Sequence, residues 1–95
     1  MRQITKEAME AFCEGRHFRK GNMEVTRYSM YLHGNKIAWW DSNNQLWISN
    51  CGWMSVTTKE RLNALPNVNI VQRNHQWYLN GQPWDGRATC IGRVC

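Results

Sequence analysis

Lys36-Ile37-Ala38-Trp39-Trp40-Asp41-Ser42-Asn43-Asn44-Gln45-Leu46-Trp47-Ile48-Ser49 is the stretch that decides how this chain folds. Two runs of β-forming residues flank a cluster of Asp, Ser and Asn, whose short polar side chains bond their own backbone in tight turns. Strands joined that closely lie antiparallel. Just upstream, His33-Gly34-Asn35 supplies another turn, and residues 23–32 are again rich in β-formers. The segments 23–32, 36–40 and 45–49 therefore read as a three-stranded antiparallel meander. A period of two puts Tyr28, Met30 and Leu32 on one face of the first strand, with Val25, Arg27, Ser29 and Tyr31 on the other. It likewise separates Ile37 and Trp39 from Ala38 and Trp40, and Leu46 and Ile48 from Trp47.

Before the meander the periodicity is helical. Ile4, Ala8, Ala11 and Phe12 form one stripe over residues 4–14, while Lys6, Glu7, Glu10 and Glu14 lie off it. Thr5 reads as the N-cap, Ile4 and Met9 as a hydrophobic staple, and Gly15 as the left-handed residue that ends the helix. After the meander, residues 50–56 read as a loop. Thr57-Thr58-Lys59-Glu60 has the form of a capping box for a short helix that buries Leu62 and Leu65 and stops at Pro66. Residues 68–73 and 76–79 form a hairpin about Asn74-His75. Asn80-Gly81 then turns the chain into Gln82-Pro83-Trp84, which Pro83 confines to a sheet edge. The expectation is a single α+β domain over residues 1–86, with both helices packed on one face of the sheet and residues 87–95 a flexible tail.

Composition sets the function classes. Six tryptophans in 95 residues are more than so small a core hides completely, since an indole usually keeps one edge wet. A net charge of +5 favours anionic partners, and its densest cluster is Arg16, His17, Arg19 and Lys20. No apolar run reaches the length of a membrane span, and the first residues lack the apolar segment of a signal peptide. The chain is therefore expected in the cytoplasm, with no membrane partner and with its cysteines reduced.

Catalytic chemistry needs a nucleophile, a base and a group to orient the base. His33 and His75 fall at turn tips. Cys51, beside Gly52, has no neighbouring acid, and the carboxylates Glu7, Glu10 and Glu14 sit on a helix face. There is no phosphate loop or dinucleotide fingerprint. Cys13 and His17 with Cys90 and Cys95 could in principle form a Cys3His zinc set, but neither pair has knuckle spacing, and free thiols are the better reading. The expectation is a non-enzymatic protein without cofactor or metal; a Cys51-dependent enzyme is the least favoured alternative.

What remains is an aromatic and basic surface. Adjacent Trp39 and Trp40 cannot both face the core, and neither can Trp77 and Tyr78. The expected binding residues are Trp40, Trp47, Tyr31 and Tyr78 with Arg27, Lys36 and Arg73, joined by Arg16, Arg19 and Lys20; Trp39 is assigned to the core. Such a surface can enter a protein pocket or stack the bases of single-stranded nucleic acid.

Several runs carry a resemblance: Tyr31-Leu32-His33-Gly34-Asn35-Lys36-Ile37-Ala38, Leu46-Trp47-Ile48-Ser49-Asn50-Cys51-Gly52-Trp53, residues 57–66 from Thr57-Thr58-Lys59-Glu60, and residues 76–86 from Gln76-Trp77-Tyr78-Leu79. In order and spacing they resemble a family of short, uncharacterised proteins of tailed phages and prophages, over roughly residues 4–86. The resemblance implies expression inside an infected bacterium and brings no activity with it. It points to a protein that engages, and inhibits, a host protein or protein–nucleic-acid complex of the nucleic-acid-handling or defence machinery. Direct binding of single-stranded DNA or RNA is the alternative.

Overall fold

The computed structural model describes residues 3–93 as an α+β fold. Its elements run α1 (Gln3–Glu14), β1 (Phe18–Lys20), β2 (Met23–Val25), β3 (Ser29–Leu32), β4 (Asn35–Trp40), β5 (Leu46–Ile48), α2 (Val56–Asn63), β6 (Ile70–Arg73), β7 (Gln76–Leu79), β8 (Gln82–Trp84) and β9 (Thr89–Gly92). They form an antiparallel sheet in the order β1-β2-β3-β4-β5-β9 and a smaller one, β6-β7-β8. Among the described residues no helix is long and apolar enough to cross a membrane.

The expected meander is the centre of the larger sheet, which is wider at both ends than the sequence suggests. The stretch 23–32 is two strands, because Thr26 N–H bonds the Ser29 carbonyl and turns the chain at Arg27 and Tyr28. The basic segment contributes β1, paired to β2. Residues 89–92, expected to trail from the domain, instead pair with β5 as β9. The indole N–H of Trp84 anchors the approach to β9 by donating to the Arg87 carbonyl and to Thr89 Oγ1 at 3.2 and 2.9 Å.

The helices also differ in detail. Gly15, at φ +70°, ends α1 as expected. Thr5, however, lies inside α1 and is buried: its hydroxyl donates to Glu60 Oε1 at 2.7 Å and accepts from Arg61 Nη1 at 2.6 Å. Thr5 thus ties α1 to α2 rather than capping a helix. The cap of α2 is Ser55, whose extended backbone and Oγ, which accepts from Thr58 N–H at 3.1 Å, start the helix before Thr57. The capping box at Thr57 is therefore not used. Instead of sharing one sheet face, α1 packs on β1, β2 and β3 while α2 packs on β6. The buried side chains of both helices and both sheets join in one core that includes Phe12, Met30, Leu46, Leu62 and Trp77.

One irregularity controls which residues of β4 face outward. Met30 pairs with Ala38, but its neighbour Tyr31 pairs with Lys36, leaving Ile37 as an extra residue: a β-bulge. Ile37 and Ala38 are consequently both buried, and strict alternation fails. Since directly paired residues share a face, Ala38, Ile48, Met30 and Val25 point into the core, while Lys36 and Trp39 point out. A second shift in register leaves Ile91 unpaired between Cys90 and Gly92 in β9, and Ile91 packs against the core.

Ending the chain after Gly86 should unpair β5 and free the Trp84 indole. At roughly 1 kcal/mol per hydrogen bond, the loss should be about 2–4 kcal/mol. Urea unfolding of the shortened and full chains measures it; equal midpoints would show that β9 contributes nothing.

Candidate functional site

The outer face of the larger sheet carries two cross-strand rows. One runs Arg19, Glu24, Tyr31, Lys36 across β1 to β4. The other runs Ser29, Trp39, Trp47, Cys90 across β3, β4, β5 and β9. Direct pairing of Trp39 with Trp47 brings their rings to 6.3 Å between centroids at an interplanar angle of 10°, a stacked pair. Lys36 Nζ lies 5.1 Å from the centre of the Trp39 ring, where an ammonium is attracted to the negative ring face.

The pair is held from its far end. Trp47 Nε1 donates to Asp41 Oδ2 at 2.8 Å, and Asp41 Oδ1 accepts from the backbone N–H groups of Asn43 and Gln45 at 2.8 and 3.0 Å. The turn cluster read from the sequence thus also orients an indole. The Trp47 N–H, followed by the two backbone donors and the charge of Arg93, holds the Asp41 carboxyl below its ordinary range. Arg93 closes the turn by donating from Nε to the Asn43 carbonyl at 3.2 Å.

The expected site residues fall in different places. Tyr31, Lys36, Trp47 and Arg19 share this outer face. Trp40 does not: it stacks on Phe12 at 4.9 Å, donates from Nε1 to the Phe12 carbonyl at 3.2 Å, and packs against the core. The assignments of Trp39 and Trp40 are thus reversed, because the bulge at Ile37 shifts the alternation by one. Trp40, together with Cys13, Gly15, Arg27 and Tyr28, lines a cleft of about 310 Å³ at the end of α1. There Arg27 lies 5.3 Å from the centre of the exposed Tyr28 ring. Arg73 and Tyr78 form a comparable pair at 5.9 Å on the smaller sheet, on the face shared by Val71 and Pro83. Arg16 is paired with Glu14, its Nε 2.7 Å from Oε1, and Lys20 is exposed on the edge strand β1.

The tryptophans divide by depth. Trp77 and Trp84 are core residues, Trp40 lies beneath α1, and Trp39 and Trp47 are half-buried on the outer face. Trp53 is 60% exposed, next to exposed Met54 and Val56. Sequence reading left that loop out of the site; its signal was an apolar Trp-Met pair within a segment of loop residues. Cys90 lies on the outer face opposite Trp47, whereas Cys13 lies near the end of α1, so the two are not brought together; Cys95 is outside the described residues. Among the described residues no three His, Cys, Asp or Glu side chains gather as a metal set. Cys51 Sγ donates to the Lys36 carbonyl at 2.7 Å.

Since Asp41 has a lowered folded pKa, the stability it provides is fully present above the ordinary aspartate value of 3.8 and is lost as pH falls through the lower folded value. Asp41→Asn should flatten this acid limb, and should already loosen the Trp39–Trp47 pair at neutral pH. Near-ultraviolet circular dichroism of both forms during acid titration checks this; identical acid limbs would reject it.

Against known proteins, the model of one protein family, the Kyanoviridae Gp96 protein, matches residues 1–91. No curated protein and no solved structure matches the chain. With nearly the whole sequence covered, including all the residues of the outer face, the chain belongs to the Kyanoviridae Gp96 family of phage proteins.

Proposed function

We propose that this protein is a non-enzymatic phage accessory factor that engages, and inhibits, host nucleic-acid-handling or defence machinery in the cytoplasm of the infected bacterium. Its contact surface is the outer face of the larger sheet. The observation that carries the reading is the Trp39–Trp47 stack with Lys36 over it and Tyr31 in the adjoining row, on the face opposite the core. Trp and Tyr dominate the energetics of protein interfaces because large, stiff rings bury much area at little loss of side-chain freedom. Here the rings are already oriented by each other and by Asp41, which lowers the ordering cost of binding.

A pull-down from host lysate should recover one principal partner with the wild-type protein and much less with Trp39→Ala. In direct titration of that partner, Trp39→Ala should weaken binding by about 2 kcal/mol, roughly thirty-fold. Recovery of no partner, or equal recovery by both forms, would remove this reading.

Direct binding of single-stranded nucleic acid is the second reading, and the three cation–aromatic pairs, Lys36 with Trp39, Arg27 with Tyr28 and Arg73 with Tyr78, favour it. Each places a positive charge against a ring on which a base can stack. Affinity for an oligonucleotide should then fall steeply with salt as counterions compete for the phosphates, and Trp39→Ala should weaken it at every salt concentration. Gel shifts across a salt series measure both effects; affinity independent of salt would rule it out.

A further inference from the structure

Among the described residues the two sheets leave four strand edges, β1 and β9 on the larger and β6 and β8 on the smaller. An open edge offers its N–H and C=O groups to any extended chain, and folded proteins close such edges in a few recognisable ways. At β6 the Asn63 side chain does so: its Oδ1 accepts from Ile70 N–H at 2.6 Å, and its Nδ2 donates to the Ile70 carbonyl at 3.0 Å. At β8 the residue between the paired positions Gln82 and Trp84 is Pro83, which has no N–H to give. At β9 the extra residue Ile91 breaks the ladder.

The remaining edge, β1, has none of these devices. Its register with β2 is unbroken, Phe18 with Val25, Arg19 with Glu24 and Lys20 with Met23. Lys20 and Met23 flank a two-residue turn and so exchange hydrogen bonds, as do Phe18 and Val25. On the far side of β2, His33 N–H donates to the Asn22 carbonyl, and alternation gives the Glu24 backbone to β3 as well. The N–H and C=O of Arg19 therefore point away from the sheet. His17, two residues earlier, also has no backbone partner among the described residues.

What guards this edge is charge. Arg19 and Lys20 are exposed, lie on opposite faces of β1, and make no hydrogen bond or ion pair among the described residues. Arg16, just before them, is already paired with Glu14. Positive charge on an edge repels a second copy of a chain whose net charge is +5, and attracts an acidic one. Glu24 sits on the β2 side of Arg19, so a carboxylate arriving at the edge meets the guanidinium from the opposite side. The open backbone selects a polypeptide, since a nucleic acid has no amide groups along its backbone to pair in register.

We propose that β1 receives an extended acidic segment of a protein partner, added as the outermost strand of the larger sheet. One carboxylate of that segment lies beside Arg19 on the outer face, and one at an adjacent position lies beside Lys20 on the other. The proposal rests on the host-protein reading above and gives that partner a chemistry. Arg19 begins the row that continues through Glu24, Tyr31 and Lys36, so a strand added to β1 extends the contact face.

Nuclear magnetic resonance titration with a capped peptide of alternating Glu and Val tests it, beside a peptide with Lys for Glu and an acidic peptide methylated at alternate backbone nitrogens. The acidic peptide should shift the amide resonances of His17 and Arg19, and less so as salt is added. The Lys peptide should bind at least about ten-fold more weakly, and the methylated one roughly ten-fold more weakly for two lost backbone bonds. Arg19→Glu combined with Lys20→Glu, both at exposed positions, should reverse the preference between the Glu and Lys peptides. If the double variant loses the wild-type circular dichroism, Lys20→Glu alone, which leaves Arg19 beside Glu24, should still narrow it. Equal binding of the Glu and Lys peptides, or of the methylated and unmethylated ones, would overturn the proposal. So would shifts at Arg19 caused by oligo(dT) but not by the peptide, or by raising the protein concentration alone, which assign the edge to nucleic acid or to a second copy. In the host pull-down, loss of the partner with Trp39→Ala but not with the charge reversal removes the β1 proposal and keeps the outer-face reading. Loss with the charge reversal alone does the opposite.

Discussion

Strand β4 must turn two consecutive side chains, Ile37 and Ala38, into the same core, and a regular strand cannot do this because its residues alternate. The bulge at Ile37 resolves the conflict by inserting one residue against β3. Its effect reaches the functional face: Lys36 and Trp39, three apart in sequence, end up on one side of the sheet, close enough for the ammonium to sit over the indole. It sends Trp40 the other way, onto Phe12 and the end of α1. Without the bulge, Lys36 and Trp39 would face opposite ways and there would be no cation above the stacked pair.

The outer face then depends on two supports that act in different currencies. The rings of Trp39 and Trp47 hold each other through contact area and ring electrostatics, which change little with pH. The Trp47 indole is also pinned by a carboxylate that the Asp41 turn itself positions, and that support depends on ionisation. The same turn therefore connects β4 to β5, fixes their register and orients a side chain of the exposed face. In a chain of this size such economy is expected, since a small core leaves few residues free of structural duties.

Much of the architecture could be read from residue order. The Asp41–Asn44 cluster, His33-Gly34, Asn74-His75 and Asn80-Gly81 all lie at turns, because their chemistry is local and the chain need only agree with its neighbours. The helix over residues 4–14 and its end at Gly15 were legible for the same reason. What was not legible was non-local. Thr5 has the side chain of a cap, yet its partners, Glu60 and Arg61, are in another helix. β9 has two β-branched residues, Thr89 and Ile91, but is only four residues long and ends in a glycine, and its partner β5 lies more than forty residues upstream. Trp39 and Trp40 exchanged places because a bulge has no residue signature as plain as a glycine or a proline, and period-two reasoning fails at the first extra residue. Sequence reading grouped Tyr31, Lys36 and Trp47 with Trp40; that they share the outer face with Trp39 instead required tertiary structure.

The pairing of β9 with β5 has a consequence for how the protein is made. Synthesis runs from the amino terminus, and β5 leaves the ribosome well before β9, with α2 and the whole smaller sheet produced in between. Throughout that interval Leu46-Trp47-Ile48 is a short hydrophobic strand with one edge open, the kind of template that recruits other chains. The indole of Trp84 emerges next, and its acceptors, the Arg87 carbonyl and Thr89 Oγ1, follow within a few residues to lead β9 to its place. β9 thus closes the open edge of β5 only after α2 and the whole smaller sheet have been made, and the nascent chain carries that exposed template until β9 arrives.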